Sequence, residues 1–169
     1  MLYINHYHSP LGDILLTADE IGLTGLWFDG SKYYADHLNS QHEEKDTPIL
    51  QQAKEWLAIY FSCTEPPFLP PIHMIGTPFQ LNVWAILQKI PYGETTTYGQ
   101  IAKEIAEQKG IPRMAAQAVG GAVGRNNIPI IIPCHRVVGS GGRLTGYGGG
   151  LEKKVKLLTL EQVDMNHLF

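Results

Sequence analysis

The run Ile132-Pro133-Cys134-His135-Arg136-Val137 sets one thiol beside an imidazole and a guanidinium. A thiolate is a strong nucleophile, and a cysteine flanked by potential cations can ionise below the roughly 8.5 of a free thiol. Cys63 and Cys134 are the only cysteines in 169 residues, and only Cys134 has such neighbours. Nucleophilic chemistry at a single residue is the expectation. The competing reading is a small buried hydrophobe, the usual fate of a free cysteine. His135 and Arg136 count against it.

The approach to Cys134 is Ile128-Pro129-Ile130-Ile131-Ile132-Pro133. Its prolines and isoleucines predict a rigid, extended, buried path. Consecutive side chains of an extended strand point to opposite faces, so His135 needs a bend or a bridging water to take the thiol proton. A third group should orient the imidazole. Glu161 is a candidate: in a helix expected over 151–162 it follows Leu157 and Leu158 by four and three residues. That spacing fits a buried partner or the edge of a surface helix, and the local pattern does not choose. Between Cys134 and this helix lies the glycine-rich stretch 139–150, which contains Tyr147 and Gly148. It lacks Gly-Lys-Ser/Thr and is not a phosphate-binding P-loop. It could wrap a flat ring with its backbone groups or simply be a flexible surface loop.

The elements that must position these groups fall into two halves. Leu2–Tyr7, Asp13–Ala18 and Leu23–Phe28 read as strands of an antiparallel meander, separated by turn-forming clusters. Ile49, Ala53, Trp56, Leu57 and Tyr60 then recur at helical spacing after Pro48. The prolines between Pro66 and Pro78 predict a linker. Beyond it, Phe79, Val83, Trp84, Leu87 and Ile90 form one amphipathic face. Thr97 and Gln100 match a capping box. A second helix is expected from Arg113 to Val123, giving a helix-turn-helix outline with a long turn. Its Ala115, Ala116, Ala118, Gly120, Gly121 and Ala122 allow close approach, either to a neighbouring helix or to a DNA groove.

The net charge of −3 hides an asymmetry. Residues 1–74 carry 3 Lys/Arg against 10 Asp/Glu, or −7, and residues 75–169 carry 10 against 6, or +4. A polyanion, if bound, belongs to the second half; a chance asymmetry of a solvated surface is the plain alternative. No apolar run approaches 18 residues and no signal peptide is visible, so a cytoplasmic protein without membrane contact is expected. The histidines 6, 8, 37, 42, 73, 135 and 167 are scattered, and no metal site is expected.

Taken together, Phe79-Gln80-Leu81-Asn82-Val83-Trp84, Tyr98-Gly99-Gln100-Ile101-Ala102, Ala118-Val119-Gly120-Gly121-Ala122, the cysteine hexapeptide and Leu144-Thr145-Gly146-Tyr147 resemble the O6-alkylguanine-DNA alkyltransferases. The resemblance runs from Phe79 to Glu161, with residues 1–74 similar in outline only. It implies an α+β fold: a strand-rich, ribonuclease-H-like domain over 1–74, then a helical domain over 75–169 with a helix-turn-helix or winged-helix-like DNA-binding element. It implies a monomer that flips O6-alkylguanine from double-stranded DNA, with O4-alkylthymine as a second candidate substrate. The alkyl group would pass irreversibly to Cys134, with no cofactor. His135 would take the thiol proton through a water, Glu161 would polarise it, and Tyr147 would help supply a proton to the leaving guanine oxygen. Tyr98 would lie near the rotated phosphate, and backbone groups of Cys134, Val137 and Gly148 would meet the base. Asn126 would brace the active-site turn, while Arg136 would hold structure. Arg113, Gln117 and Ala118 would face DNA. Where much of the family has an arginine finger, this chain has Gln117, and Arg113, one turn earlier on the same helix face, could contact phosphate instead. The alternative function is a DNA-binding alkylation sensor that does not repair.

Overall fold

The computed structural model describes residues 1–31, 34–35, 38 and 41–169, so His37 lies outside the described residues. The chain divides into two compact units, Met1–Ile75 and Gly76–Phe169.

Among the described residues, the first unit is a four-stranded sheet with one helix. Strands β1 (Leu2–Ser9), β2 (Gly12–Ala18) and β3 (Leu23–Phe28) form the expected antiparallel meander, and β4 (His42–Glu44) adds in parallel beside β1. Ile14 to Ala18 and all of β3 are buried, which explains their nearly continuous apolar runs. Helix α1 (Pro48–Phe61) starts where the Thr47 side chain accepts the Leu50 N–H, a cap worth about 1 kcal/mol. Its buried face is Leu50, Ala53, Trp56, Leu57 and Tyr60. The proline-rich stretch is not a free linker throughout. Leu23 N–H donates to Pro71 O at 2.8 Å and Leu23 O accepts His73 N–H at 2.8 Å, so 71–73 is paired to β3. Pro71 supplies only its carbonyl there, which is why a proline can border the sheet. The pairing is held from the side by His73 Nδ1, 2.5 Å from Asp19 Oδ2.

The second unit combines four α-helices with a short parallel pair, β5 (Thr96–Thr97) with β6 (Val137–Val138). Helix α2 (Pro78–Leu87) opens with a complete capping box between Thr77 and Gln80 and buries Val83, Trp84, Ile86 and Leu87. Helix α3 (Tyr98–Lys109) is capped by Thr97, which accepts Gln100 N–H at 3.0 Å. It closes at Gly110, φ +65°, with Ile111 N–H reaching back to Ala106 O. Helix α4 spans Ala116–Gly124, not the stretch from Arg113. Pro112 follows the α3 stop and disfavours helix at Ile111, and Ala115, still extended at φ −71° and ψ 128°, is the N-cap without a side-chain hydrogen bond. Arg113 therefore sits in the extended connection, not one helical turn before Gln117. Val119, Ala122 and Val123 bury one face of α4, and Trp84 Nε1–H fastens it by donating to Ala122 O at 2.9 Å. Helix α5 (Leu151–Leu160) completes the unit.

Candidate active site

Cys134 is carried by main-chain turns and not by an extended strand. Ile131 N–H donates to Pro129 O at 2.9 Å around Ile130, whose φ is +73°. Cys134 N–H donates to Ile132 O at 2.8 Å around Pro133, at φ −81° and ψ 66°. These are a γ-turn and an inverse γ-turn, the first of them rare and strained. Proline suits either path, and the choice falls to Asn126. Its Oδ1 accepts Ile128 N–H at 3.0 Å and its Nδ2 donates to Ile132 O at 2.8 Å, clamping both ends of the loop. The same amide favours the ionised form of the Cys134 thiol. A 3-10 turn over Cys134–Arg136 follows, supplying the bend that lets His135 leave the strand pattern.

His135 is fully buried, with Nε2 2.5 Å from Glu161 Oε2. Glu161 is the residue that ends α5 and is buried, which decides its role as a partner over a surface position. Its Oε1 accepts Arg136 Nε–H at 2.8 Å and Gly93 N–H at 3.0 Å. Arg136 Nη1–H also donates to Ile90 O at 2.7 Å, and the guanidinium lies 5.7 Å from the centre of the Tyr92 ring. Burial works to raise the Glu161 carboxyl, but hydrogen bonds and charge from His135 and Arg136 outweigh it and hold it at about 2. Burial lowers His135 despite Glu161, with Arg136 and Lys154 acting the same way. At neutral pH the imidazole is therefore uncharged, acting on Glu161 by its charge only in acid, and by donating from Nε2 to the carboxylate it keeps Nδ1 as its basic nitrogen.

Burial also pushes the Cys134 thiol up, against a hydrogen bond from Asn126 and the positive charge of Lys154. The neighbouring cations do not win, contrary to the expectation of a readily ionised thiol. Desolvation of the thiolate is the larger effect, so the resting sulfur is protonated and needs a base. Lys154 is the site residue that the sequence reading missed. Its side chain is fully buried in α5, and Nζ donates to Val137 O at 2.6 Å and Thr145 O at 3.0 Å. Burial lowers it to about 8, while Cys134 works to raise it. Leu157 and Leu158 lie three and four residues further on, a spacing that marked Lys154 as facing the core.

The glycine-rich stretch is tied to this cluster at Thr145, whose carbonyl accepts from Lys154 Nζ. Thr145 Oγ1–H donates to the Tyr98 hydroxyl at 3.1 Å, which joins the loop to the start of α3. The Tyr147 hydroxyl is buried and has no hydrogen-bond partner among the described residues. Burial, followed by Cys134 and Glu161, raises it well above its ordinary value, so it remains a proton donor. Val137 is fully buried and Gly148 is exposed at the loop surface.

The 6-O-methylguanine DNA methyltransferase, DNA binding domain, matches residues 78–163, and the ribonuclease-like domain of the same group matches residues 2–71. The chain belongs to the 6-O-methylguanine DNA methyltransferase family. It is 40 % identical over 163 residues to a methylated-DNA--protein-cysteine methyltransferase of Haemophilus influenzae, covering 96 % of this chain and 87 % of that one. It is 43 % identical to a protein of the same name from Methanosarcina acetivorans, over 95 % and 98 % of the two chains. Among solved structures it is similar to Mycobacterium tuberculosis OGT in complex with DNA, at TM-score 0.80 and 40 % identity, covering 95 % of this chain and 92 % of that one. Within this methyltransferase family member, Arg113, Gln117, Ala118 and Gly121 are all exposed, the last three on the α4 face opposite its packed side. A β-carbon added to Gly121 would meet nothing within 4 Å. The small residues of α4 thus pack on one side and leave an open face on the other. Among the described residues, no His, Cys, Asp and Glu group could hold a metal, and no helix is long and apolar enough to cross a membrane.

Proposed function

We propose that this protein, acting as a monomer without a cofactor, repairs O6-alkylguanine in double-stranded DNA by moving the alkyl group to its own Cys134. The observation that carries the reading is the buried Cys134–His135–Glu161 arrangement in a member of this family. His135 Nδ1 accepts the thiol proton, relayed by a water, and Glu161 stabilises the imidazolium that forms. The sulfur attacks the alkyl carbon, the S–C bond forms and the C–O6 bond breaks. The electron pair stays with guanine, and the proton returns to the base through Tyr147. A donor placed where charge develops is the principle of an oxyanion hole, and the buried Tyr147 hydroxyl, without a partner among the described residues, is suited to it. The thioether is inert, so each molecule acts once.

Base flipping exposes the alkyl carbon to a sulfur that duplex DNA could not reach. The open face of α4, with Gln117, Ala118 and Gly121, approaches the groove, and Arg113 contacts phosphate. Tyr98 guides the displaced phosphate, and main-chain groups of Cys134, Val137 and Gly148 contact the base. Asn126 and Arg136 act by bracing the turn.

The test is intact mass and peptide mapping after incubation with an O6-methylguanine duplex. One methyl gained on the Cys134 peptide, with equal lesion loss and neither event in Cys134→Ser, is the expected result. Bound DNA with its lesion intact would instead favour the sensor reading.

A further inference from the structure

After Glu161 the chain turns from α5 and comes back onto the glycine-rich loop. Asp164 caps the 3-10 turn Met165–His167 by accepting Asn166 N–H at 3.0 Å, and Leu168 N–H donates to Met165 O at 3.2 Å. Phe169 then lies along residues 142–144. Its N–H donates to Gly142 O at 3.1 Å and its carbonyl accepts Leu144 N–H at 2.6 Å. The Arg143 guanidinium sits 5.7 Å from the centre of the Phe169 ring. The approach at Gly142 is close: φ is +95°, and a β-carbon there would stand 2.2 Å from His167 O.

These contacts fall just before Thr145, whose carbonyl accepts from Lys154, and Tyr147, whose buried hydroxyl feels the charge of Cys134. Leu144 is three residues from Tyr147, a reach of at most about 11 Å, so fixing Leu144 limits where the phenol can go. The intervening and following glycines, Gly146, Gly148, Gly149 and Gly150, would otherwise leave the loop many conformations. Lys154 and Tyr98 hold Thr145 from the other side.

We infer that residues 164–169 are a strap that positions the Tyr147 loop for alkyl transfer, with Gly142 and Phe169 as positioning residues. The inference rests on the alkyl-transfer reading above. Misplacing a reacting group by about 1 Å can cost about 100-fold in rate, so a small gain in loop freedom is enough to register.

Two variants test it: deletion of residues 165–169, and Gly142→Ala, which keeps the full chain but obstructs the approach. Trypsin cleavage at Arg143–Leu144, read by mass, should speed up by at least about tenfold as the Leu144 N–H loses its partner. Methyl transfer at saturating duplex should slow by at least about tenfold, with DNA affinity held within about twofold. The ratio of benzyl to methyl transfer rates should rise, because a loosened loop admits the larger group, whereas plain destabilisation would slow both alike. Unchanged cleavage in both variants would show that the strap does not hold the loop. Faster cleavage with both transfer rates at the wild-type level would show that the loop needs no strap. If the deletion does not fold, Gly142→Ala decides. Wild-type protein that transfers no methyl would overturn the alkyl-transfer reading, while the trypsin comparison would still report on the strap.

Discussion

Replacing Glu161 by glutamine attacks the proton relay at its buried end. The carboxylate accepts hydrogen bonds from His135 Nε2, Arg136 Nε and Gly93 N–H. Glutamine keeps the shape and one oxygen, which can go on serving Arg136 and Gly93. Its NH2 then confronts His135 Nε2, and the imidazole keeps a hydrogen bond only by moving its proton to Nδ1. The base is lost. General-base catalysis is worth about 100- to 10,000-fold, and the wrong histidine tautomer in a serine–histidine–aspartate triad costs about 10,000-fold. Methyl transfer should fall within that range. Stability should fall too, because Arg136 keeps its charge in a buried setting without its counterion. Two routes give similar magnitudes. Removing one partner of a buried ion pair costs about 3–5 kcal/mol. Holding the carboxyl at about 2 instead of 4.5 corresponds to about 3 kcal/mol at roughly 1.4 kcal/mol per tenfold. Because the folded value is depressed, this stabilisation is complete above about pH 4.5 and lost as the pH falls toward about 2. Urea unfolding at neutral and acid pH should therefore show a large deficit for E161Q at neutrality that narrows in acid. Quenched single-turnover assays on a methylated duplex supply the rate. A variant within about threefold of the wild-type rate and about 1 kcal/mol of its stability would refute the reasoning.

Three further outcomes are expected. Lys154→Met leaves the Val137 and Thr145 carbonyls short of a donor, at about 1–3 kcal/mol each, and should raise the Cys134 thiol further, read from thiolate absorbance against pH. Gly121→Glu should fold at least as well as the wild type, since space is open there and glycine is about 1 kcal/mol worse than alanine inside a helix. It should nonetheless weaken DNA binding in a fluorescence-anisotropy titration, by repulsion from phosphate; unchanged affinity would remove α4 from the interface. Gln117→Arg should tighten binding at low salt and steepen its salt dependence by about one released counterion, and an unaltered slope would place residue 117 away from the duplex.

The legible parts of the fold were those whose side chains repeat with a period. Val83, Trp84 and Leu87 announced α2, and the buried runs of β2 and β3 announced the meander. Strand β4 is three exposed polar residues, so no alternation marks it. The start of α4 is unmarked in the sequence, because alanine and glycine carry little positional information and Ala115 offers no capping side chain. At the site, the residue types and Cys134 itself were readable, but the path into it was not. Prolines at 129 and 133 are compatible with both extended chain and tight turns, and only the Asn126 clamp distinguishes them. The burial of Glu161 depends on Gly93, 68 residues away, beyond the reach of any local pattern. Lys154 has the same spacing to Leu157 and Leu158 as any core residue, yet its charge disguises it as surface.

The two successive γ-turns before Cys134 bear on how this protein could be altered. The sulfur's location is dictated by main-chain geometry anchored at Asn126, with the isoleucine side chains acting as filler around it. Apolar swaps at 128, 131 or 132 would therefore leave the nucleophile in register. One residue inserted between 126 and 134 would carry it off target, however conservative the insertion looks on paper.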